Sequence, residues 1–323
     1  MNTTRLESAP PTPTQAGVAA RVVAAWNALA VRFDPYAVIA IACALLTVPR
    51  MIVATGYGAK EEPAVAIANT VIAEGVWRLP YTSAWQWIDH PPLLPWIIAA
   101  LSTPPGEVTQ ITARLPAAIA LLFGSLLVYW LLRRLAAGAP AALVGVALWL
   151  ACPAVIRLSV AVTWELPITV LLFSAFCLLW RAIEAGSLRA IGTARWLAIA
   201  AVLIGAALMK GPHVEHPAPA FANPVDPIVR LVADAWPALL GAVLSLAAPV
   251  RGEGGAFGPP GFFAAAVFYT IAAGLFILLL PGATTPRYFL PMLPILCVFA
   301  GLGYERLNAG LARAASNNAA PAA

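Results

Sequence analysis

The sequence predicts an all-α integral membrane protein of about eight transmembrane helices, with interfacial helices in a long first external loop. Three observations point there. Of its 323 residues, 61% are hydrophobic and 10% charged, against roughly 45–50% apolar and about 25% charged in an ordinary soluble domain. Apolar runs long enough to cross a hydrocarbon core, which takes about 20 residues per helix, recur along the chain. The arginines collect on alternate connections between those runs, as they do on the cytoplasmic side of a membrane.

Taken in order, the expected spans are Pro35–Val53, Leu115–Leu132, Ala141–Ile156, Val162–Trp180, Trp196–Met209, Leu231–Val250, Phe262–Leu280 and Tyr288–Tyr304. With the N-terminus inside, Arg5, Arg21, Arg32, Arg133, Arg134, Arg181, Arg189, Arg195, Arg251, Arg306 and Arg313 are cytoplasmic, against five acids there, Glu7, Asp34, Glu184, Glu253 and Glu305. Both termini are then cytoplasmic. The organisation is a cytoplasmic N-terminal tail over 1–33, a transmembrane domain over 34–304 and a cytoplasmic C-terminal tail over 305–323. The first 33 residues open on a polar, Pro-rich stretch without an apolar core, so a cleavable signal peptide is not expected.

Composition also narrows the partners. The net charge of +5 comes from scattered basic residues, which fits membrane orientation rather than a nucleic-acid surface. Cys43, Cys152, Cys177 and Cys297 lie inside apolar runs at unrelated spacings, and read as small core residues without a disulfide framework. Small residues throughout favour close helix packing.

Residues 54–113 form one external loop in this topology. The apolar run Pro91–Leu101, PPLLPWIIAAL, is too short to span and suits a helix lying in the outer interface. A loop of this length in a compact membrane domain carries function or secondary structure of its own. Within it, GYGAKEEPAVAIA places Glu61 and Glu62 just ahead of a helix whose first residue suits Pro63. Ala64, Ile67, Ala68 and Val71 follow at helical spacing. Two readings of the pair fit: solvated caps at a helix start, where the backbone dipole favours anions, or carboxylates held at a reaction site. Glu165 interrupts the apolar stretch SVAVTWELPITVLLF, where an unpaired charge costs about 2–3 kcal/mol or more if deep. It therefore belongs at the outer interface or beside a wet cavity, on the same side as Glu61 and Glu62.

KEEPAVAIANTVIAEGVWRLP, WIDHPPLLPW, ITARLPAAIALL, TWELPI, ALMKGP and TPRYFLPMLPIL follow one another over residues 60–295. In this order they resemble the landmarks of membrane glycosyltransferases of the C superfamily, in the branch of the aminoarabinose transferases and protein O-mannosyltransferases. The resemblance implies an enzyme of the plasma (inner) membrane that moves a sugar from a polyprenyl phosphate to an acceptor hydroxyl or amine of an envelope lipid, glycan or protein. Its active site faces outward, and no cofactor or metal is implied. Glu61 then matches the family's catalytic aspartate as general base, Glu62 orients it or binds acceptor, and Glu165 matches the second external acid. Asp89 and His90 occupy the pair before Pro-Pro, with His90 toward the donor phosphate; Lys210, Arg287 and Tyr288 are further candidates for phosphate or substrate binding.

Each of these has a plainer reading too: WIDHPP as an interfacial turn anchored by Trp85 and Trp87, and Lys210 as a snorkelling lysine. The chain departs from the family in carrying glutamates for both aspartates. After Lys210 it continues as HVEHPAPAFANPVDP, where His213, Glu215 and His216 lack the i, i+4 histidine spacing of a helical metal site. The sequence also stops soon after the last motif. The alternative function is therefore a shortened or non-catalytic relative, acting as a lipid-carrier transporter or an assembly scaffold, for which Asp234 and Pro237 within one span are the candidate features.

Overall fold

The computed structural model describes residues 13–58, 61–75, 77, 93–184, 193–210, 226–247, 262–278 and 290–319. Its regular structure there is helical: α1 (Pro13–Arg32), α2 (Pro35–Val53), α3 (Glu62–Glu74), α4 (Leu93–Ser102), α5 (Gln110–Arg134), α6 (Ala139–Ala151), α7 (Pro153–Leu158), α8 (Glu165–Glu184), α9 (Thr193–Lys210), α10 (Asp226–Ala247), α11 (Phe262–Leu278) and α12 (Leu293–Ala319). Among the described residues, four helical stretches are long and apolar enough to cross a membrane: Pro35–Val53, Gln110–Arg134, Glu165–Glu184 and Leu290–Arg313. Shorter apolar stretches lie in α4, α6, α9, α10 and α11. The chain is a multi-pass membrane protein of the all-helical class that its composition predicts. The helices fall short of eight full-length spans among the described residues.

Local chemistry sets the helix ends. Asp34 caps α2, its carboxylate accepting the Tyr36 N–H at 3.1 Å, and Pro35 supplies a residue that needs no amide partner in the first turn. Thr109 and Thr112 form a reciprocal capping box at the start of α5. The expected single run Ala141–Ile156 is two helices, because Pro153 forces Cys152 into extended geometry, ψ 122°.

Helix α5 is central, packing against α2, α4, α6, α8 and α12. Close approach is built on glycines. A Cβ on Gly301 would lie 2.8 Å or less from both methyls of Leu132 and 3.0 Å from the Ala141 carbonyl, while one on Gly145 would meet Leu132 and the Cys297 carbonyl. Aromatic side chains fill the space between α8, α11 and α12, where Trp180 and Phe262 meet edge to face at 5.0 Å. All four cysteines are buried thiols.

The two ends of the bundle differ. At one, Glu305 accepts the Gly138 N–H at 2.9 Å, Arg134 pairs with Glu184, and Trp26 and Asn27 of α1 bond to Pro140 and to Asn308 and Tyr304. This is the end with the arginines expected in the cytoplasm. At the other, a second apolar cluster of Val65, Ala68 and Val71 from α3, Leu94, Ile98 and Ala99 from α4, Ala113 from α5, Val162 and Ile168 seats α3 and α4 on the bundle.

Candidate functional site

The α3 and α4 end gathers the charged groups of interest. The expected helix after the acid pair is present: α3 begins at Glu62 with Glu61 as its N-cap residue. The Glu61 side chain makes no capping bond to its own helix. Its Oε1 accepts the Val162 N–H at 2.8 Å, and its Oε2 accepts the Gly58 N–H at 3.0 Å. Arg114 Nη2 lies 3.5 Å from the same Oε2. The carboxylate thus joins the α2–α3 connection, the start of α5 and the segment ahead of α8. Ionised, it offers about four acceptor sites; two take these backbone bonds and the arginine draws on a third.

Glu62 is exposed in the first turn of α3. Its position suits the helix dipole, and it is the solvent-facing member of the pair. Glu165, by contrast, is buried at 4% exposure as the first residue of α8. Because Val162 holds Glu61 and lies three residues before Glu165, its Cα is within about 11 Å of that of Glu165. The structure therefore brings Glu61 and Glu165 to the same end of the molecule, beside the apolar seat of α3.

Lys210 closes α9, and Gly205 of α9 lies against Leu171 of α8. The helix consequently ends at the Glu165 end of the bundle. Asp89, His90, Arg287 and Tyr288 lie outside the described residues, as do His213, Glu215 and His216. Asp234, the candidate intramembrane acid, pairs with Arg157 at 2.6 Å, tying α10 to α7.

Two arginines emerge at this end that sequence reasoning left without a role. Arg114 is 5% exposed; it donates to the Gly56 carbonyl at 3.0 Å and to Gln110, and its guanidinium sits 5.2 Å from the Tyr57 ring centroid. Gly56 has φ +77°, a conformation that a side chain would strain, and this turns its carbonyl toward the arginine. Burial raises the Tyr57 phenol above its ordinary pKa, with Arg114 opposing the rise and Glu61 adding to it. Arg50 donates to the Ile156 carbonyl at 2.5 Å and to Ser159 Oγ at 3.1 Å, fixing the segment that leads to Val162. Both arginines sit in apolar contexts in the sequence; their hydrogen-bond partners, and for Arg114 its burial, distinguish them.

Glu61, Arg114 and Glu165 thus share the end of the bundle on which the short helices α3 and α4 are seated. The solved structure of ArnT from Cupriavidus metallidurans bound to undecaprenyl phosphate shares this fold, with a TM-score of 0.56 at 17% sequence identity. The match covers 86% of this chain and 60% of that one, so the chain spans less than two thirds of that protein's length. No curated protein matches the sequence. The sequence model described as Dolichyl-phosphate-mannose-protein mannosyltransferase matches residues 89–250, half of the chain, and the protein belongs to that family.

Proposed function

We propose that the protein is a membrane glycosyltransferase that moves a sugar from a polyprenyl-phosphate donor to an envelope lipid, glycan or protein on the external face of the plasma membrane. The observation that carries this reading is the placement of Glu61, whose carboxylate is held by Val162 and Gly58 and backed by Arg114 at the end of the bundle that also holds Glu165. Family membership and the likeness to a transferase solved with a polyprenyl phosphate support it.

In this reading Glu61 is the general base. Transfer from a sugar phosphate needs the acceptor's proton removed as its oxygen or nitrogen attacks the anomeric carbon, and a fixed carboxylate with a free acceptor site does that. Glu62 orients the base or binds acceptor from its exposed position, and Glu165 positions acceptor or sugar. The leaving phosphate needs cationic or hydrogen-bonding partners, for which Lys210, His90, Arg287 and Tyr288 are the candidates, with Asp89 next to His90 in the sequence. The domain boundaries 34–304, with residues 54–113 external and both tails cytoplasmic, belong to the same proposal.

The test compares envelope glycolipids and glycoproteins by mass spectrometry with and without the gene. A product that loses one sugar on deletion and regains it on re-expression supports the reading. Identical envelopes overturn it.

A further inference from the structure

We propose that Arg114 is a positioning residue for the Glu61 carboxylate, an inference that rests on Glu61 acting as the base. A guanidinium at 5% exposure carries a desolvation cost that only good partners repay. Arg114 has them on three sides. One nitrogen serves the Gly56 carbonyl and Glu61 Oε2, the other serves Gln110 one turn earlier on α5, and the planar cation faces Tyr57.

The geometry gives these contacts one consequence. Gly56 and Tyr57 belong to the connection that ends in the Gly58–Glu61 turn, in which the Glu61 N–H donates to the Gly58 carbonyl at 2.7 Å. Arg114 therefore grips both the backbone that delivers Glu61 and the carboxylate itself. Val162 fixes the opposite oxygen. With both oxygens held, the carboxylate keeps one orientation, and Arg114 balances its charge without covering the Val162 side. A lysine in its place would keep the charge and lose the planar fork.

The experiment measures the initial rate of the sugar-bearing envelope product after induced expression in a strain lacking the gene, at matched protein level in the membrane. Binding of undecaprenyl phosphate and thermal stability of each purified full-length variant are measured alongside. Arg114→Met is expected to lower the rate by about 100-fold, the scale of an ångström-level misplacement, while undecaprenyl phosphate binding stays within threefold. Arg114→Lys is expected to recover at least a tenth of the rate. In a Glu61→Gln background, Arg114→Met should add less than threefold.

Full activity of Arg114→Met with Glu61→Gln inactive overturns the positioning role and leaves the base in place. Full activity of Glu61→Gln overturns the base, and the inference with it. Losses that multiply in the double variant show an independent action of Arg114 and also overturn the proposal. If Arg114→Met fails to accumulate, Arg114→Lys and Arg114→Gln decide by the same comparison in the two backgrounds.

Discussion

The Val162 amide donates to Glu61 Oε1 across 2.8 Å and 101 residues of sequence. This bond closes the site end of the molecule, because it ties the short helices over the bundle to the segment that enters α8.

Membrane orientation comes first. The end that carries Glu61 and Glu165 is opposite the end where Arg134 pairs with Glu184 and Glu305 meets Gly138. With arginines inside, a reporter fused after Gly186 is expected in the cytoplasm and one inserted between 54 and 113 outside. The reverse placement of either, read by protease or alkylation access, removes the external site.

Helix packing gives a stability test. Alanine at Gly145 or Gly301 would press into Leu132 and toward a backbone carbonyl 3.0 Å away that has little room to yield. Overpacking of this kind costs about 1–3 kcal/mol, so both variants should lose thermal stability in detergent. Gly310 is the control, since its added Cβ meets nothing within 4 Å. Gly310→Ala should be neutral or stabilising by up to about 1 kcal/mol. Equal behaviour of the three would mean that the α5, α6 and α12 crossing is looser than described.

How much of this was legible in the sequence follows from what a linear pattern records. Hydrophobic runs report burial in lipid or protein, so the all-helical membrane class, α2, α5 and α8 could be read directly. Pro63 and the spacing of Ala64, Ile67, Ala68 and Val71 likewise announced α3. The break at Cys152 was less visible, because an apolar run continues through Pro153 and only the backbone shows the extended residue. The clustering of Glu61 with Arg114 is a contact between residues 53 apart, and no local period encodes it. Asp234 shows the same limit: its span suggested a lone acid, and its partner Arg157 lies 77 positions away.

The donor is tested by competition. No stretch of the chain reads as a nucleotide-binding domain, and the fold is shared with a protein solved with undecaprenyl phosphate. Purified protein is expected to bind polyprenyl-phosphate sugars and to ignore nucleotide sugars. Efficient transfer straight from a nucleotide sugar would sink the proposed reaction.

Glu165 should matter differently from the base. It is buried at the first turn of α8, so Glu165→Gln keeps the shape of the site and removes a charge. The expected result is a higher acceptor requirement or a turnover lowered by roughly ten- to 100-fold, with donor binding kept. Unchanged acceptor dependence and turnover would leave the residue a packing role alone.

The glutamate pair gives the most direct outcome. Glu61→Gln preserves an acceptor oxygen for the Val162 or Gly58 amide but cannot take a proton, so transfer should fall by about 100-fold or more while undecaprenyl phosphate binding survives. Glu62→Gln should cost less, because that side chain is exposed and none of the bonds described at Glu61 passes through it. Glu61→Asp keeps the base and shortens its reach by one methylene, a displacement of about an ångström from Val162. Partial activity is expected there, since a carboxylate is kept and Arg114 approaches the oxygen opposite the one that Val162 holds. Measured at equal protein level, the order parent, Glu62→Gln, Glu61→Asp, Glu61→Gln places the proton at Glu61. A Glu61→Gln variant as active as the parent would instead make the carboxylate a strap that holds α3 to the bundle, and its loss would then appear in thermal stability and not in turnover.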